Sequence, residues 1–524
     1  MNTPPPPPPA SPDNRRINMV KLGLGCVGLS TFVCTGAIML VLILTPIAFR
    51  SLSPEYQDKF LRRIPALAAF KATVPFTYLP TIGATNANAL ALLATPTSGN
   101  STPVPTGSRS NGGLSAGGND ANVPLPTSAL STSTPITPVA ASSTPLPITN
   151  TPVLATDNAI AATNTPVLNV AALSPTPPPD NPPATALPPA TVIPAPISFH
   201  NSSFEWVPQG WNNCGPANLT QALKYYGWQG KQDEIANYLK PNREDKNVSP
   251  WQMVEYVNSQ TNVKALWRVA GDLNLVKRLV ADKFAVIMET GYDVAGEGWM
   301  GHYLTVIGYD DNQGLLYGLD TWLGDGKDHQ GFHEEYNNLD SRWQSFNRAY
   351  IVVYTSDREA ELASILGPDA DLQYNYTRAV SVARTEASAQ PNNPYAWFNL
   401  GSSFTLLQKY KEASIAFDQA VNSTTGLPFR MLWYQFTPYE AYYNTGNYTQ
   451  VLALAQTALA TTPYVEETFY WQGMAYAAQG QTGKATDDFK KVLKFNPNFL
   501  PASDMLAQLE SGKFAPPVVA QAGQ

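Results

Sequence analysis

The sequence predicts an α+β domain over residues 198–367 and an all-α solenoid over 368–512, tethered by a disordered linker to one transmembrane helix. Three observations lead to this prediction. In the first part, helical patterns precede a run of strand patterns. In the second part, a helix-pair pattern recurs about every 34 residues. Near the N-terminus, a long stretch of sequence carries no charge at all.

The uncharged stretch is the predicted membrane anchor. It follows a Pro-rich tail at 1–20 and occupies the segment 21–49, with no charged residue from Leu22 to Phe49. This is longer than the about 20 residues that cross a bilayer, and too long for the apolar part of a signal peptide. We therefore expect an uncleaved, single-pass anchor in the cell membrane, followed by a juxtamembrane segment at 50–80. Lysines and arginines flank both ends, so the positive-inside rule gives no orientation.

Residues 81–197 have the composition of a disordered, low-complexity linker. The segment has four charged residues and no aromatic residue, and Thr, Pro, Ala and Ser dominate it. The hexapeptide Thr-Asn-Thr-Pro-Val-Leu at 149–154 recurs at 163–168. Such a segment cannot bury enough apolar surface to fold. Because Pro/Thr-rich stalks commonly hold domains outside a membrane, we expect the C-terminal domains to be extracytoplasmic.

Aromatic residues return at Phe199, where the α+β pattern begins. One predicted helix starts at Pro250, with Ser249 and Gln252 as a capping box. The polar stretch 324–338 is predicted to be a loop. Helices are predicted over 233–240, 250–258 and 273–282, and strands over 285–290, 302–310, 315–320 and 350–354.

Residues 368–512 follow the spacing of tetratricopeptide repeats, and a short tail at 513–524 follows them. The small-residue anchors Ala379, Ala413, Val451 and Ala485 are separated by 34, 38 and 34 positions. We expect the aromatic residues of these units to form a core between stacked helix pairs. A groove that binds a protein or peptide partner is the alternative role for them. The two clearest units contain Trp397, Leu400, Gly401, Phe404, Ala413, Phe417 and Ala420, and then Phe469, Gly473, Tyr476, Ala485, Phe489 and Pro497.

Charge and composition narrow the functional classes. The net charge of −7 and the absence of a Lys/Arg-rich run indicate no nucleic-acid partner. No motif for a cofactor is found. His329 and His333 lie near acidic residues, but they lack a firm ligand spacing, so no metal site is predicted.

Cys214 is the first candidate for chemistry. It is the only one of three cysteines outside the N-terminal apolar stretch. A helical pattern that includes Leu219 and stops at Gly227 follows it. A thiol at a helix N-terminus is stabilised as the nucleophilic thiolate by the helix dipole and by unpaired N–H groups. The alternative is an inert, buried thiol.

His302 and Asp320 are the predicted partners of Cys214. His302 opens a strand, and a turn leads into the next strand, which ends at Asp320. If Leu304 pairs with Asp320, the carboxylate is a diagonal neighbour of His302 on the same face, while a one-residue shift moves it to the other face. In the first register Asp320 orients the imidazole and His302 acts as base for Cys214. The amide of Gln209 is a candidate donor to the developing oxyanion.

These motifs resemble one known family. Gln209, the run Cys-Gly-Pro-Ala from Cys214, the run Gly-His-Tyr around His302 and the Leu-Asp pair ending at Asp320 are similar to the bacteriocin-processing cysteine peptidases. This family is papain-like, and the resemblance covers residues 204–355. One spacing departs from it, because the family usually has the Gln six residues before the Cys and here the separation is five.

The resemblance implies a papain-like fold with Cys214 as nucleophile, His302 as base, Asp320 as orienter and Gln209 in the oxyanion hole. Members of the family that lie within transporters cut after a double glycine in a leader peptide. This chain shows no ATP-binding module, so that substrate is not expected here.

The sequence therefore predicts a membrane-anchored cysteine peptidase that hydrolyses amide bonds in a peptide or protein substrate. Its repeats are expected to recruit a protein or peptide partner, or else to brace the catalytic domain. Two alternatives stay open. One is a papain-like binding module without turnover, in which the repeats are the working part. The other is an acyl transferase that uses the same thiol, with an amine in place of water.

Overall fold

The computed structural model describes residues 45, 48–50, 52, 54–70, 79, 89–94, 194–294 and 297–517. The predicted Pro-rich tail, most of the predicted transmembrane segment and most of the predicted linker lie outside these residues. Among the helices that are described, none is both long enough and apolar enough to cross a membrane.

Helices α1 (Pro54–Arg63) and α2 (Ala89–Ala94) lie before the folded C-terminal region. Helix α2 buries Ala89 and Leu92 in the apolar core of the repeat region. Residues 89–94, which the sequence places in the linker, are therefore part of the folded region. The run Ala-Leu-Ala-Leu-Leu-Ala favours a helix and is apolar enough to be buried, although its surroundings resemble a linker in composition.

The described residues form one antiparallel sheet of seven strands. Its order is β2-β7-β3-β4-β5-β6, and β1 pairs with the last residues of β4. The strands are β1 (Ser198–His200), β2 (Lys264–Arg268), β3 (Ala285–Val294), β4 (Gly298–Asp310), β5 (Leu315–Asp320), β6 (Phe332–Glu335) and β7 (Tyr350–Tyr354).

Helices cover both faces of the sheet. They are α3 (Cys214–Tyr225), α4 (Gln232–Leu239), α5 (Pro250–Gln260), α6 (Leu273–Ala281), α7 (Tyr336–Gln344) and α8 (Glu359–Leu366). Helices α3 to α5 share a core with Ile287 and Ile351, while α6 to α8 share a second core with Val286 and Val352. Successive residues of a strand point to opposite faces, so β7 and residues 285–288 of β3 are continuously apolar because both of their faces are buried.

The predicted elements of this domain are largely present, with two corrections. The capping box of Ser249 and Gln252 forms at the start of α5. The stretch 324–338 is not a continuous loop, because it contains β6 and the first residues of α7. Strand β6 has the polar sequence Phe-His-Glu-Glu because it is an edge strand, paired only with β5. Strand β2 lies between α5 and α6, so helices do not all precede the strands.

The repeat region is a series of helix pairs. It consists of α9 (Leu372–Ala389), α10 (Pro394–Leu406), α11 (Tyr410–Val421), α12 (Thr437–Asn444), α13 (Tyr448–Thr461), α14 (Glu466–Ala478), α15 (Thr482–Phe495) and α16 (Leu500–Glu510). All four predicted small-residue anchors are fully buried. The longer 38-residue step contains a 3-10 turn at Phe429–Trp433, between α11 and α12.

The repeats pack directly on the α+β domain. Trp299 of β4 belongs to the same apolar cluster as the core of the repeats. Its ring stacks on Phe346 at 5.7 Å and meets the edge of Tyr434, which follows the 3-10 turn, at 6.0 Å. Arg348 adds a polar link through ion pairs with Asp340 (2.7 Å) and with Glu386 of α9 (2.6 Å).

Candidate active site

Cys214 is the first residue of α3, the helix that the sequence predicts behind it. A tight turn precedes it, in which Asn213 N donates to Gly210 O (3.2 Å) and Asn212 has a positive φ of 53°. The thiol is free and half-buried. The rest of α3 up to Leu223 is buried, so the nucleophile candidate lies at the exposed end of a helix that is fixed in the core.

His302 and Asp320 form a buried pair. His302 Nε2 lies 3.0 Å from Asp320 Oδ1. The same oxygen accepts hydrogen bonds from the backbone N–H groups of Trp322 (2.8 Å) and Leu323 (2.7 Å). The carboxylate is fully buried and the imidazole nearly so. Since Nε2 faces Asp320, the Nδ1 side of the ring is left for Cys214.

A β-bulge brings Asp320 to the correct face. Leu304 pairs with Asp320, which is the register that the sequence argument required. Near the turn, however, the strands pair as in a regular hairpin, with Gly308 opposite Tyr317. The two registers differ by one residue, and Ile307 is the extra residue between them. Without it, Asp320 would pair with Thr305 and face away from His302.

The surroundings of His302 favour the imidazolium. Burial alone would lower its pKa, but the negative charge and the hydrogen bond of Asp320 raise it. Cys214 lies close enough to act in the same direction, both through a hydrogen bond and through its charge, and the pKa of His302 is raised to about 10. Burial would raise the pKa of Asp320, but the charge of His302 and three hydrogen bonds hold it below its usual value.

Asn218 ties the three elements of the site together. Its Nδ2 donates to the carbonyl oxygens of Cys214 (2.9 Å) and Tyr303 (2.9 Å), and lies 3.3 Å from Oγ1 of Thr321. These acceptors belong to the nucleophile helix, to the residue after His302 and to the residue after Asp320. A single buried amide therefore sets the position of all three candidate residues.

Asn218 was not predicted as a site residue, although the sequence contains a signal for it. Asn218 and Gln221 lie one turn apart on α3, and both are fully buried. Gln221 accepts from Val207 N (2.9 Å) and donates to Thr305 Oγ1 (3.0 Å). Buried amides on the apolar face of a helix need partners, so these two residues point to a polar network beneath the nucleophile.

Gln209 lies on the loop before Cys214 and is bound to the residue after Asp320. Its backbone N–H donates to Thr321 O (2.8 Å), and its Oε1 accepts from Thr321 Oγ1 (2.8 Å). This second bond orients the amide with its NH₂ group away from Thr321. Asn212, the other amide in the loop with described side-chain bonds, instead contacts Arg243 O and Lys246 Nζ.

The other histidines lie apart from this site. His200 Nε2 contacts Gln330 O at 2.9 Å, and His333 packs on Tyr317 with ring centroids 4.9 Å apart. His329 is exposed and paired with Asp325.

Comparisons with known proteins agree with the sequence argument on the nature of the two folded regions. Residues 198–351 match the family described as Peptidase_C39 like family, and residues 394–424 and 466–499 match the tetratricopeptide repeat. The predicted resemblance, a C39-like peptidase domain followed by tetratricopeptide repeats, is confirmed. The chain has no match among curated proteins.

Two solved structures are similar to parts of the chain. One is a crystal structure described as that of a C39-like peptidase from Bacillus anthracis, with 15% identity and a TM-score of 0.24, covering 30% of this chain and 97% of that one. The other is a MamA RS-1 double mutant, with 17% identity and a TM-score of 0.25, covering 30% of this chain and 85% of that one.

Proposed function

We propose that this protein is a cysteine peptidase that hydrolyses amide bonds with Cys214, His302 and Asp320. The observation that supports the proposal most directly is the buried His302–Asp320 pair beside a thiol at a helix N-terminus. In such a pair, the ionised carboxylate orients the imidazole and stabilises its charged form. The family match over residues 198–351 supports the same chemistry.

In the proposed reaction, Cys214 Sγ attacks the amide carbonyl as a thiolate while His302 carries the proton. As the C–N bond breaks, His302 Nδ1 gives this proton to the leaving amine and a thioester is left on Cys214. A water molecule then loses a proton to His302 and attacks the thioester. The C–S bond breaks, which releases the carboxylic acid and restores the ion pair.

The oxyanion that forms in each attack needs donors. We assign this role to the NH₂ group of Gln209 and the backbone N–H of Cys214. The hydrogen bond from Thr321 to Gln209 Oε1 supports this assignment, because it leaves the donor end of the amide for substrate. Donors that are fixed before the reaction stabilise the oxyanion without the cost of reorganisation.

We extend the proposal to the other parts of the chain. The repeats bind a protein or peptide partner, and a groove lined by Leu452, Leu459 and Tyr476 between α13 and α14 is available for it.

The uncharged sequence from Leu22 to Phe49 anchors the chain in the cell membrane, with the catalytic domain outside. Treating intact cells with protease should release a fragment that begins after residue 94. Digestion only after lysis would reverse this orientation.

Labelling with a thiol-reactive active-site probe tests the central proposal. The full-length native protein should be labelled at Cys214 and should cleave a peptide library. Cys214→Ser should abolish both, and His302→Ala should slow labelling, because the thiolate loses its counter-ion. His200→Ala, a histidine outside the site, is the matched control and should leave labelling unchanged. If Cys214 is labelled only after denaturation, the thiol is structural and the protein is a binding module.

The products distinguish hydrolysis from acyl transfer. In a digest with an added primary amine, a peptidase gives mainly the free carboxylic acid, since water attacks the thioester. A new amide as the main product would instead identify the protein as an acyl transferase.

A further inference from the structure

Three carboxylates meet in the interior, where the α+β domain contacts the repeats. Asp245 lies between α4 and α5, and Glu466 and Glu467 begin α14. One oxygen of each residue lies within 4.8 Å of an oxygen of the other two. None of the three is more than 4% exposed. Acidic side chains are almost never buried in this way without a partner of opposite charge.

Each carboxylate has a hydrogen-bond donor beside it, and the side chains of Asp245 and Glu466 are also close to each other. Asp245 Oδ1 accepts a hydrogen bond from Asn247 N (3.1 Å), and Glu466 Oε1 accepts one from Asn496 Nδ2 (2.8 Å). The side chain of Gln252 lies within hydrogen-bonding reach of Glu467. Among the described residues, Asp245 Oδ2, Glu466 Oε2 and Glu467 Oε2 have no hydrogen-bond partner. Three fixed carboxylates with three unpartnered buried oxygens form a preorganised ligand set.

The cations nearby do not balance this charge. Lys240 is buried, and its charge acts on both Asp245 and Glu466. Lys246 also acts on Asp245, but it lies over the ring of Trp211 at 4.8 Å, and Glu244 is its largest charge partner. Three carboxylates and one ammonium leave two negative charges, which is the charge that one divalent cation neutralises.

We propose that Asp245, Glu466 and Glu467 bind one Ca²⁺ ion. The donors are all oxygen atoms, which hard cations prefer, whereas zinc and copper sites use nitrogen and sulfur ligands. Ca²⁺ accepts six to eight oxygens in flexible geometry, so carboxylates and water can complete its shell, while Mg²⁺ demands a strict octahedron. Without the cation, burial raises the pKa of each of the three carboxyls, and Asp245 and Glu466 are close enough to share a proton.

The position of the site gives the ion a structural role. Asp245 belongs to the α+β domain, and both glutamates belong to the repeats. The contact around them is polar, with Asn496 Nδ2 donating to Leu239 O (2.8 Å) and Asn498 Nδ2 donating to Tyr238 O (2.9 Å). Bound Ca²⁺ therefore joins the two regions. This inference is independent of the proposed peptidase activity, because none of its residues takes part in that reaction.

Calorimetry and thermal unfolding test the site. The full-length protein, purified in detergent, is stripped with EDTA, dialysed and titrated with Ca²⁺ and separately with Mg²⁺. We expect one Ca²⁺ per chain. At saturating Ca²⁺ the midpoint of unfolding should rise by roughly 2–6 °C, since a ligand that binds only the folded state stabilises it. Mg²⁺ should give a smaller rise at the same concentration.

Glu466→Gln is the decisive variant. It keeps the shape of the side chain and an Oε1 acceptor for Asn496, but removes one charge. We expect Ca²⁺ affinity to fall at least tenfold and the Ca²⁺-dependent shift to vanish. In EDTA, the variant should unfold at no lower temperature than the wild type, because one buried like charge is gone. Glu440→Gln is the matched control: this acid of the repeats is hydrogen-bonded by Tyr410 OH (3.2 Å) away from the cluster, and the control should keep the full response.

If Glu466→Gln fails to fold, Asp245→Asn is used in its place. We expect the same fall in Ca²⁺ affinity and the same loss of the Ca²⁺-dependent shift. If the wild-type protein neither binds Ca²⁺ nor changes its unfolding midpoint when Ca²⁺ is added, the proposal is overturned. The three carboxyl groups would then be stabilised by sharing protons. An unchanged Ca²⁺ response in the variant also overturns it, because the ion would then bind elsewhere. An equal response to Mg²⁺ would overturn the assignment to calcium.

Discussion

At the scale of single residues, Asp320 controls the charge of His302. The carboxylate raises the pKa of His302 to about 10 against the opposing effect of burial. The reactive ion pair needs a protonated imidazole, so activity is present below this pKa and is lost as pH rises through it. Asp320→Asn removes the charge and should lower the pKa of His302. The alkaline limb of kcat/KM should therefore move to lower pH, which a pH–rate profile measures.

Asp310 supplies the control for this prediction. It lies at the other end of the same hairpin, where its side chain accepts from Asn312 N (2.9 Å) and Gln313 N (3.3 Å) in the turn. Asp310→Asn alters the hairpin but not the charge next to His302, so the alkaline limb should stay in place. Equal shifts in both variants would mean that the hairpin, rather than the charge of Asp320, determines the profile.

Variants of Gln209 and Gln232 distinguish a catalytic role of this loop from a structural one. Gln209→Ala should lower kcat by about 10²–10³, the usual cost of one lost oxyanion donor, while labelling of Cys214 should continue. Gln232 holds the same loop, since it accepts from Gly210 N (2.7 Å) and donates to Pro208 O (2.8 Å). Gln232→Ala should thus have a much smaller effect on kcat. Wild-type turnover in Gln209→Ala would make Asn213 the better candidate donor.

At the scale of elements, the hairpin shows what the sequence can and cannot predict. Strands β4 and β5 follow from their apolar runs and the turn between them, and these place Asp320 near His302. The bulge at Ile307 cannot be predicted from the hydrophobic pattern. Both faces of this strand are buried, so its residues are apolar with or without the extra residue. The polar edge strand β6 was missed for the opposite reason, since it lacks an apolar run.

Two glycines of the repeats should respond oppositely to the same substitution. A Cβ on Gly401 would lie 2.7 Å from the Phe417 ring, whereas a Cβ on Gly483 would meet nothing within 4 Å. Both glycines lie in helices, where alanine is intrinsically favoured by about 0.5–1 kcal/mol. Gly401→Ala should therefore lower the free energy of unfolding, by about 1–3 kcal/mol, because the overpacking outweighs this gain. Gly483→Ala should leave it unchanged or raise it slightly.

Denaturant unfolding of the two variants measures the difference. The sign of the change in unfolding free energy is the diagnostic quantity. Both substitutions change the intrinsic helix preference in the same direction, so only the packing differs between them. Stabilisation by Gly401→Ala would mean that the contact of α10 with α11 is looser than the structure shows, and that this position does not require a glycine.

At the scale of the whole molecule, contacts between distant segments were beyond the sequence argument. The boundary between the α+β domain and the repeats follows from composition and period. The aromatic contact of Trp299 with Tyr434 does not, because each residue fits the apolar pattern of its own element. The contact of Asp245 with Glu466 and Glu467 could not be predicted either, because each acid has the sequence surroundings of an ordinary surface residue. Helix α2 was missed because a short apolar run inside a Thr/Pro-rich stretch has no local partner.

The aromatic contact should make the two regions unfold together. Tyr434 lies in the repeat region, and its ring centroid is 6.0 Å from that of Trp299 and 6.1 Å from that of Phe346. Tyr434→Ala leaves a cavity between the regions and should cost about 3–5 kcal/mol of unfolding free energy. Calorimetry should show one transition for the wild type and two for the variant, since the domains lose their main apolar contact. Tyr476→Ala, within the groove of the repeats, should lower the midpoint but keep one transition. Two transitions in the wild type would show that the regions are already independent.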